Sequence, residues 1–433
     1  MTVKRDNANK TITFLDMLLA QTDEDQFNIG FQAESSTGKS YIPIELLEYF
    51  PDGEKRTYAG ASPTSFYHEM GIYKPLTEVA HELDLSGLFD ENELADPKRR
   101  VIVVDLRSKI LVFLDQPHWQ LLEKLRPLLS HDRRMLRYSI TDKMGKGSLR
   151  AKTVIILGFS SVIFCTTKST QEDQERTRLN LLSPESSQEK IRESLSLQAE
   201  KIGNRKAFRE RLGSDPGRKW LKNRVQMIRT TGIRDIIIPD VESILERFKA
   251  TRPHLAPRHQ RDFPRLLFYV KGFALLNCFQ RERVDHKTIR ANYIDIENGF
   301  KLYLEIAKSN ELGISPETYR IYEEVLLPLA KLNLDLGLPR IDIVKAYLQR
   351  YGRPLPWKRL TTDILPALES AGLIRQDKNP DDKRETLVWC PIPGHIVETE
   401  NNTPHNTAPP TMVTYLTPPN PTLLGQDNKG AGA

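Results

Sequence analysis

The chain has 433 residues and carries 63 Lys and Arg against 57 Asp and Glu, a net charge of +6. That length suffices for two or three domains, and the mild basicity permits a nucleic-acid partner without demanding one. Cys165, Cys278 and Cys390 lie far apart without metal-ligand spacing, the polar start MTVKRDNANK lacks a signal-peptide core, and no apolar run approaches the roughly 18 residues of a membrane helix. The expectation is a reduced, cytosolic protein with no membrane partner and no bound structural metal.

Residues 1–26 read as a short amphipathic lead-in, with Phe14, Leu15, Leu18 and Leu19 at helical spacing. Phe27-Asn-Ile-Gly-Phe31 then reads as a buried strand, and Tyr41 to Phe50 as a helix. Between them stands AESSTGKS, residues 33–40, which matches A/G-x4-G-K-[ST] with Ala33 in the first glycine position. A strand before and a helix after are the context this phosphate-binding loop needs. Its backbone N–H groups, from Ala33, Glu34, Ser35, Ser36, Thr37 and Gly38 into Tyr41, would point at the phosphates of ATP. Gly38 would let the backbone approach closely, Lys39 would place a charge on the β- and γ-phosphates, and the Ser40 hydroxyl would ligate Mg²⁺. Pro43 falls in the first turns of the helix, where its missing N–H costs little.

A loop of this kind requires a second strand ending in an acid near Mg²⁺. ILVFLD at 110–115 supplies it, ending in Asp115; VIVVDL at 101–106 reads as its neighbour, joined through Arg107-Ser-Lys109. The residue after Asp115 is Gln116, where many such ATPases have Glu; Gln can orient a water but is no comparable base. After a helical Gln120 to Leu129 come strands at 136–141 and 149–157, a hairpin with the basic tip DKMGKG. SSVIFCTT, 160–167, is a further buried strand ending in Thr166-Thr167, followed by Arg176 and Arg178 among acidic residues. Residues 186–234 are heavily basic, with Trp220 at packing distance in sequence from Leu221 and Val225. Asp240 to Lys308 is helical, and HQRDFPRLL within it contains Arg261 and Arg265. Residues 314–390 give three helices, 318–332, 340–348 and 358–371, then the strands LIRQ and TLVW around a charged wing, DKNPDDKRE; this is the pattern of a winged helix. The tail from Pro391 is rich in Pro, Thr, Asn and Gly and lacks apolar periodicity.

The order of P-loop, acidic strand, hairpin, polar-ended strand and arginines over about 27–310 resembles AAA+ ATPases with a hairpin before the sensor strand. It is most similar to superfamily 3 and minichromosome-maintenance-type helicases and to the helicase part of phage and plasmid primase–helicases, where FP follows the P-loop helix as Phe50-Pro51 does here. The resemblance implies an α/β fold: a P-loop AAA+ core with a β-hairpin insertion, a helical lid and a C-terminal winged helix. The corresponding boundaries are 1–26, 27–200, 201–312, 313–391 and a disordered 392–433. Thr166 or Thr167 would be the first sensor. Arg178, or else Arg176, would be an arginine finger acting on a neighbour's ATP, and Arg261 and Arg265 would be second-sensor candidates. Each arginine can equally be a surface ion-pair partner. Lys143 and Lys146 at the hairpin tip, and Lys358 and Arg359 at the start of the third C-terminal helix, are DNA-contact candidates.

The function implied is an ATP-dependent DNA helicase or translocase serving replication of a mobile element, phage or plasmid. It would act as a ring, a hexamer, on single-stranded or forked DNA, with a primase as a possible separate partner. The alternative is an ATP-switched DNA-binding regulator or helicase loader with slow hydrolysis, which Gln116 favours. A metabolic P-loop kinase fits the C-terminal module poorly.

Overall fold

The computed structural model describes residues 1–60, 65–115, 120, 121, 123, 126, 129, 131–142, 150–166, 178–252, 254–333 and 337–391. Its central sheet has five strands in the order β2-β5-β8-β1-β9. They are β1 (Asn28–Gln32), β2 (Lys55–Tyr58), β5 (Ile110–Phe113), β8 (Ser161–Thr166) and β9 (Leu179–Leu182), and every pairing is parallel. All five carboxyl ends therefore lie on one edge. Parallel sheets are covered on both faces, so their strands read as continuous apolar runs; β1, β5, β8 and β9 are buried throughout.

The strand period of two divides these runs between two cores. Ile110, Val112, Ile163 and Cys165 face one, with helices α1 (Asn7–Leu19), α2 (Tyr41–Leu47), α6 (His259–Leu276) and α7 (Tyr293–Glu311). Leu111, Phe113, Val162 and Phe164 face the other. There the rings of Tyr58, Phe113 and Phe164 stack across neighbouring strands at 5.1 and 5.3 Å.

The second core is closed by another sheet, β3-β4-β7-β6, formed by β3 (Gly71–Pro75), β4 (Arg100–Asp105), β6 (Met135–Asp142) and β7 (Arg150–Leu157). The antiparallel β6–β7 pair runs from Met135↔Leu157 to Asp142↔Arg150, which bears out the expected hairpin. Its tip, with Lys143 and Lys146, lies outside the described residues. The expected pairing of 101–106 with 110–115 does not occur. β4 lies parallel to β7 in the second sheet, and β5 lies between β2 and β8. Parallel neighbours need a crossover of about a dozen residues, and the short turn between β4 and β5, with Ser108 at φ 56°, is not closed into an antiparallel hairpin either, since both strands take their partners elsewhere. The chain therefore steps from one sheet to the other.

The N-terminal helix is no separate lead-in. Ile12, Leu15, Leu18 and Leu19 are fully buried in the first core, against α6 and α2. That same core takes in Val225, Ile228, Phe248 and Tyr303, so the segment expected to be a distinct lid shares its interior with the sheet. The basic stretch forms α3 (Gln188–Gly203), α4 (Arg205–Ser214) and α5 (Pro216–Thr230). Trp220, expected to pack, is 64% exposed. A small sheet, β10 (Asp235–Ile237), β11 (Glu282–Arg283) and β12 (Thr288–Arg290), completes this region.

Residues beyond 313 have a core of their own. α8 is helical over Pro316–Ile321 and Leu327–Leu332 with a π turn, Tyr322–Leu326, between. α9 is Arg340–Tyr351, and α10 joins Trp357–Arg359, a π turn Leu360–Ile364 and Leu365–Ser370. Strands β13 (Leu338–Pro339), β14 (Arg375–Lys378) and β15 (Thr386–Trp389) form an antiparallel sheet in the order β13-β15-β14.

The crossing of α6 and α7 sets the position of α6 on the sheet, and it depends on Gly299. A Cβ there would lie 2.5 Å from Val270 Cγ2 and 3.1 Å from the Val270 backbone nitrogen. Gly299→Ala should lower unfolding stability by about 1–3 kcal/mol through overpacking. Gly213→Ala in α4, where a Cβ meets nothing within 4 Å, should be neutral or stabilise by up to about 1 kcal/mol. Denaturant melts of the two variants check this opposition of sign.

Candidate functional site

β1 delivers the loop 33–40 to the carboxyl edge of the sheet. The Ala33 N–H donates to the Thr166 carbonyl at 3.4 Å, which keeps the loop's start beside β8. Ser36 has φ 66° and Gly38 φ 90°. A Cβ at Gly38 would meet nothing, so glycine is required there by backbone conformation rather than by space. The N–H groups of Tyr41 and Ile42 donate back to the Gly38 carbonyl at 3.1 and 3.3 Å, so the helical turn begins at that glycine. Thr37 Oγ1 and Lys39 Nζ both donate to the Glu34 carbonyl, at 2.9 and 3.3 Å. Lys39 is thus folded back across its own loop, held by an uncharged acceptor. Tyr41 turns its hydroxyl to Thr2 Oγ1 at 2.6 Å.

Asp115 follows β5 at the same edge; the preceding Leu114 N–H donates to the Tyr58 carbonyl at 2.8 Å. One strand, β8, separates it from β1. β8 ends in Thr166, only 2% exposed. Cys165, beside it, reports on the surroundings. Burial pushes its thiol up to about 12, Lys39 opposes that shift and Asp115 adds to it. Its sulfur lies 3.7 Å from the Lys39 carbonyl. A cation from β1's loop and an anion from β5 therefore converge on the end of the intervening strand. Gln116, Thr167 and Arg176 lie outside the described residues. Among the described residues no three His, Cys, Asp or Glu side chains gather as metal ligands. Ser40 and Asp115 are what the loop region offers, which suits Mg²⁺, an ion that takes one or two protein ligands and completes its shell with phosphate and water.

Arg178, Arg261 and Arg265 are brought together, but at the other edge. Arg178 immediately precedes β9, whose Leu179 pairs with Asn28 at the start of β1. With Asn28, His131 and Phe268, these arginines line a cleft of about 400 Å³. Arg265 donates to Asp262 Oδ1 at 2.6 Å and to the Leu179 carbonyl at 3.0 Å. The length of β1, roughly 16 Å at about 3.3 Å per residue, separates this cleft from the loop. The structure does not place Arg261 and Arg265 at loop 33–40 of their own chain, where second-sensor residues acting in cis would stand.

The two C-terminal candidates also part. Lys358 and Trp357 are exposed at the start of α10. Arg359 points inward: it pairs with Glu34 of the loop and, at 2.8 Å, with Glu317. Arg353 joins the same two carboxylates. Sequence reasoning missed Arg353 and Glu317, because nothing local marks either one; only the docking of residues 313–391 on the core gives them partners.

No family model matches this chain, and no curated protein matches it. Among the described residues no helix is long and apolar enough to cross a membrane.

The wall of the arginine cleft makes a pH prediction. His131 packs edge-on against Phe159 at 4.3 Å, and burial lowers its pKa to about 4. Unfolded, it titrates near 6.5, so between about pH 6.5 and 4 the unfolded chain holds a proton the folded chain refuses. Stability is therefore lost as pH falls through that window, by up to roughly 3 kcal/mol at about 1.4 kcal/mol per unit. His131→Asn, a residue tolerant of the φ of 55° found there, should flatten this part of the stability–pH curve. Parallel denaturant melts between pH 7 and 4 isolate the effect as the difference between the two slopes.

Proposed function

We propose that the chain is a P-loop ATPase of AAA+ type that works on DNA as a homo-oligomeric ring, a helicase or translocase. One observation carries the ATPase reading: Lys39 and Asp115 flank the end of β8 on the common carboxyl edge of a parallel sheet, the position at which open α/β sheets bind ligands. In this reading the loop N–H groups and Lys39 hold the phosphates of ATP. Ser40 and Asp115 hold Mg²⁺, which would neutralise charge developing on the transferred group. β8 would hold the sensor threonine, Thr166 or Thr167, between them.

The ring reading is supported by Arg178. It lies at the edge away from its own loop, beside Arg261 and Arg265, where a nucleotide within its reach would be one held by a second copy. The DNA reading rests on the long β6–β7 hairpin with basic residues at its tip, and on exposed Trp357 and Lys358 in a three-helix, three-strand module of winged-helix pattern. A second reading, an ATP-switched regulator or loader with slow turnover, is favoured by the ion pairs that tie Glu34 of the loop to the C-terminal module, and by Gln116 after Asp115.

Lys39→Ala should abolish ATP hydrolysis while leaving the circular dichroism spectrum and melting temperature near wild type; wild-type turnover by this variant would refute the loop assignment. DNA-stimulated hydrolysis with unwinding of a forked duplex supports the motor. DNA binding with slow, unstimulated hydrolysis supports the switch.

Arg178→Ala should lose about 10³-fold or more in turnover if it stabilises the transition state as arginine fingers do. Mixing it with Lys39→Ala separates the two geometries. Each variant keeps the half-site the other lacks, so recovered activity on mixing shows action in trans, and its absence means that Arg178 does not act on a neighbour's nucleotide.

A further inference from the structure

Glu34 occupies an unusual position. Its carbonyl accepts from Lys39 Nζ at 3.3 Å and from Thr37 Oγ1 at 2.9 Å, so its backbone belongs to the phosphate loop. Its carboxylate belongs to the C-terminal module. One oxygen accepts from Arg353 Nη1 at 2.6 Å and the other from Arg359 Nη1. The second nitrogens of both arginines reach Glu317, at 3.5 and 2.8 Å. Two cations and two anions thus close into one four-member ring of ion pairs. Its module-side members come from three elements: Glu317 from the first turn of α8, Arg353 from just beyond α9 and Arg359 from the first turn of α10. All four side chains are 26% exposed or less.

A carboxylate on a loop that must accept a polyphosphate is an electrostatic liability. Bare, it repels the ligand; paired with two guanidinium groups, it does not. We propose that Arg353 and Arg359 are positioning residues of the nucleotide site, supplied by the C-terminal module to neutralise Glu34, so that occupancy of the loop and docking of the module are thermodynamically linked. The inference rests on the nucleotide-binding reading above and adds a regulator to it. With the module docked, the loop presents Lys39 and its N–H groups without an opposing charge. With the module displaced, for instance by a partner or DNA that competes for it, Glu34 is exposed and the loop loses affinity. By reciprocity, bound nucleotide holds the module down by the same factor.

The test is a charge-rescue cycle on the full chain, read by the binding of a fluorescent non-hydrolysable ATP analogue with Mg²⁺. Arg353→Gln/Arg359→Gln keeps polar side chains at both positions; because the Arg353 guanidinium lies over the ring of Tyr347 in the module's core, a melt first establishes that the double variant is folded. Its Kd should rise about tenfold or more, since the Glu34 carboxylate, left unpaired on the loop itself, acts against the incoming phosphates. Adding Glu34→Gln to that double variant should restore Kd to within about threefold of wild type, because the charge that needed neutralising is gone. Glu34→Gln alone should bind at least as tightly as wild type. An unchanged Kd in the double variant overturns the proposal. So does a triple variant as weak as the double, which would make the arginines merely structural. Failure of the wild-type protein itself to bind the analogue overturns the nucleotide reading and this inference with it.

Discussion

The chemistry available to this chain depends on five strands running the same way. Parallel alignment brings the ends of β1, β5 and β8 to one edge, and with them Lys39, Asp115 and Thr166. In an alternating antiparallel sheet β8 would run against β1 and β5, and Thr166 would stand at the opposite edge from the lysine and the acid. The alignment also has a cost in connections: each parallel neighbour needs a crossover, and these crossovers make up the helices and the second sheet that bury both faces. The same alignment sets Arg178 apart, because the residue that opens β9 must lie at the far edge from the loop that follows β1.

What fixes the entry to β1 is a buried polar contact rather than apolar packing alone. Asp16 of α1 is fully buried; it accepts the Phe27 N–H at 3.0 Å and the Ser161 hydroxyl at 2.5 Å. One carboxyl thus holds the start of β1 and the start of β8 to the helix above them. Burial raises the pKa of that group well above the usual carboxylate range, outweighing the two hydrogen bonds that favour its charged form. A neutral carboxyl can hold the hydroxyl and the amide without the desolvation cost of a buried charge. This is also why α1 cannot be a detachable lead-in: apart from its apolar face, it supplies the polar pin between the two strands that matter most.

Much of this was legible locally. The loop reads from eight consecutive residues, the hairpin from two apolar runs around DKMGKG, and the buried strand 161–166 from its composition, because in each case the determining residues are neighbours in sequence. The C-terminal helices and strands read for the same reason. What failed was non-local. Residues 101–106 and 110–115 have the same apolar character, and nothing in either says that they enter different sheets; the decision lies in the turn at Ser108 and in the partners, β7 and β8, that lie tens of residues downstream. Arg261 and Arg265 sit on a helix whose periodicity was clear, but the edge of the sheet it covers is set by Gly299, Val270 and the α7 crossing. Trp220 has the spacing of a packed residue yet stands 64% exposed.

Glu34 is the sharpest case of a residue whose meaning is supplied from afar. Within the loop motif it fills a position that any residue can occupy, and its charge argues weakly against phosphate binding. Its partner Arg353 is 319 residues away, and a local motif cannot show that the objection is answered. On the proposed reading this distance is the point. A loop whose charge balance were complete in itself would bind nucleotide whatever the rest of the chain did. A loop that requires two arginines from another module binds only when that module is in place. The placement of Arg359 directly after exposed Trp357 and Lys358 then puts the residue that completes the loop one or two positions from those that would meet DNA, so a change at that surface has one short path to the loop.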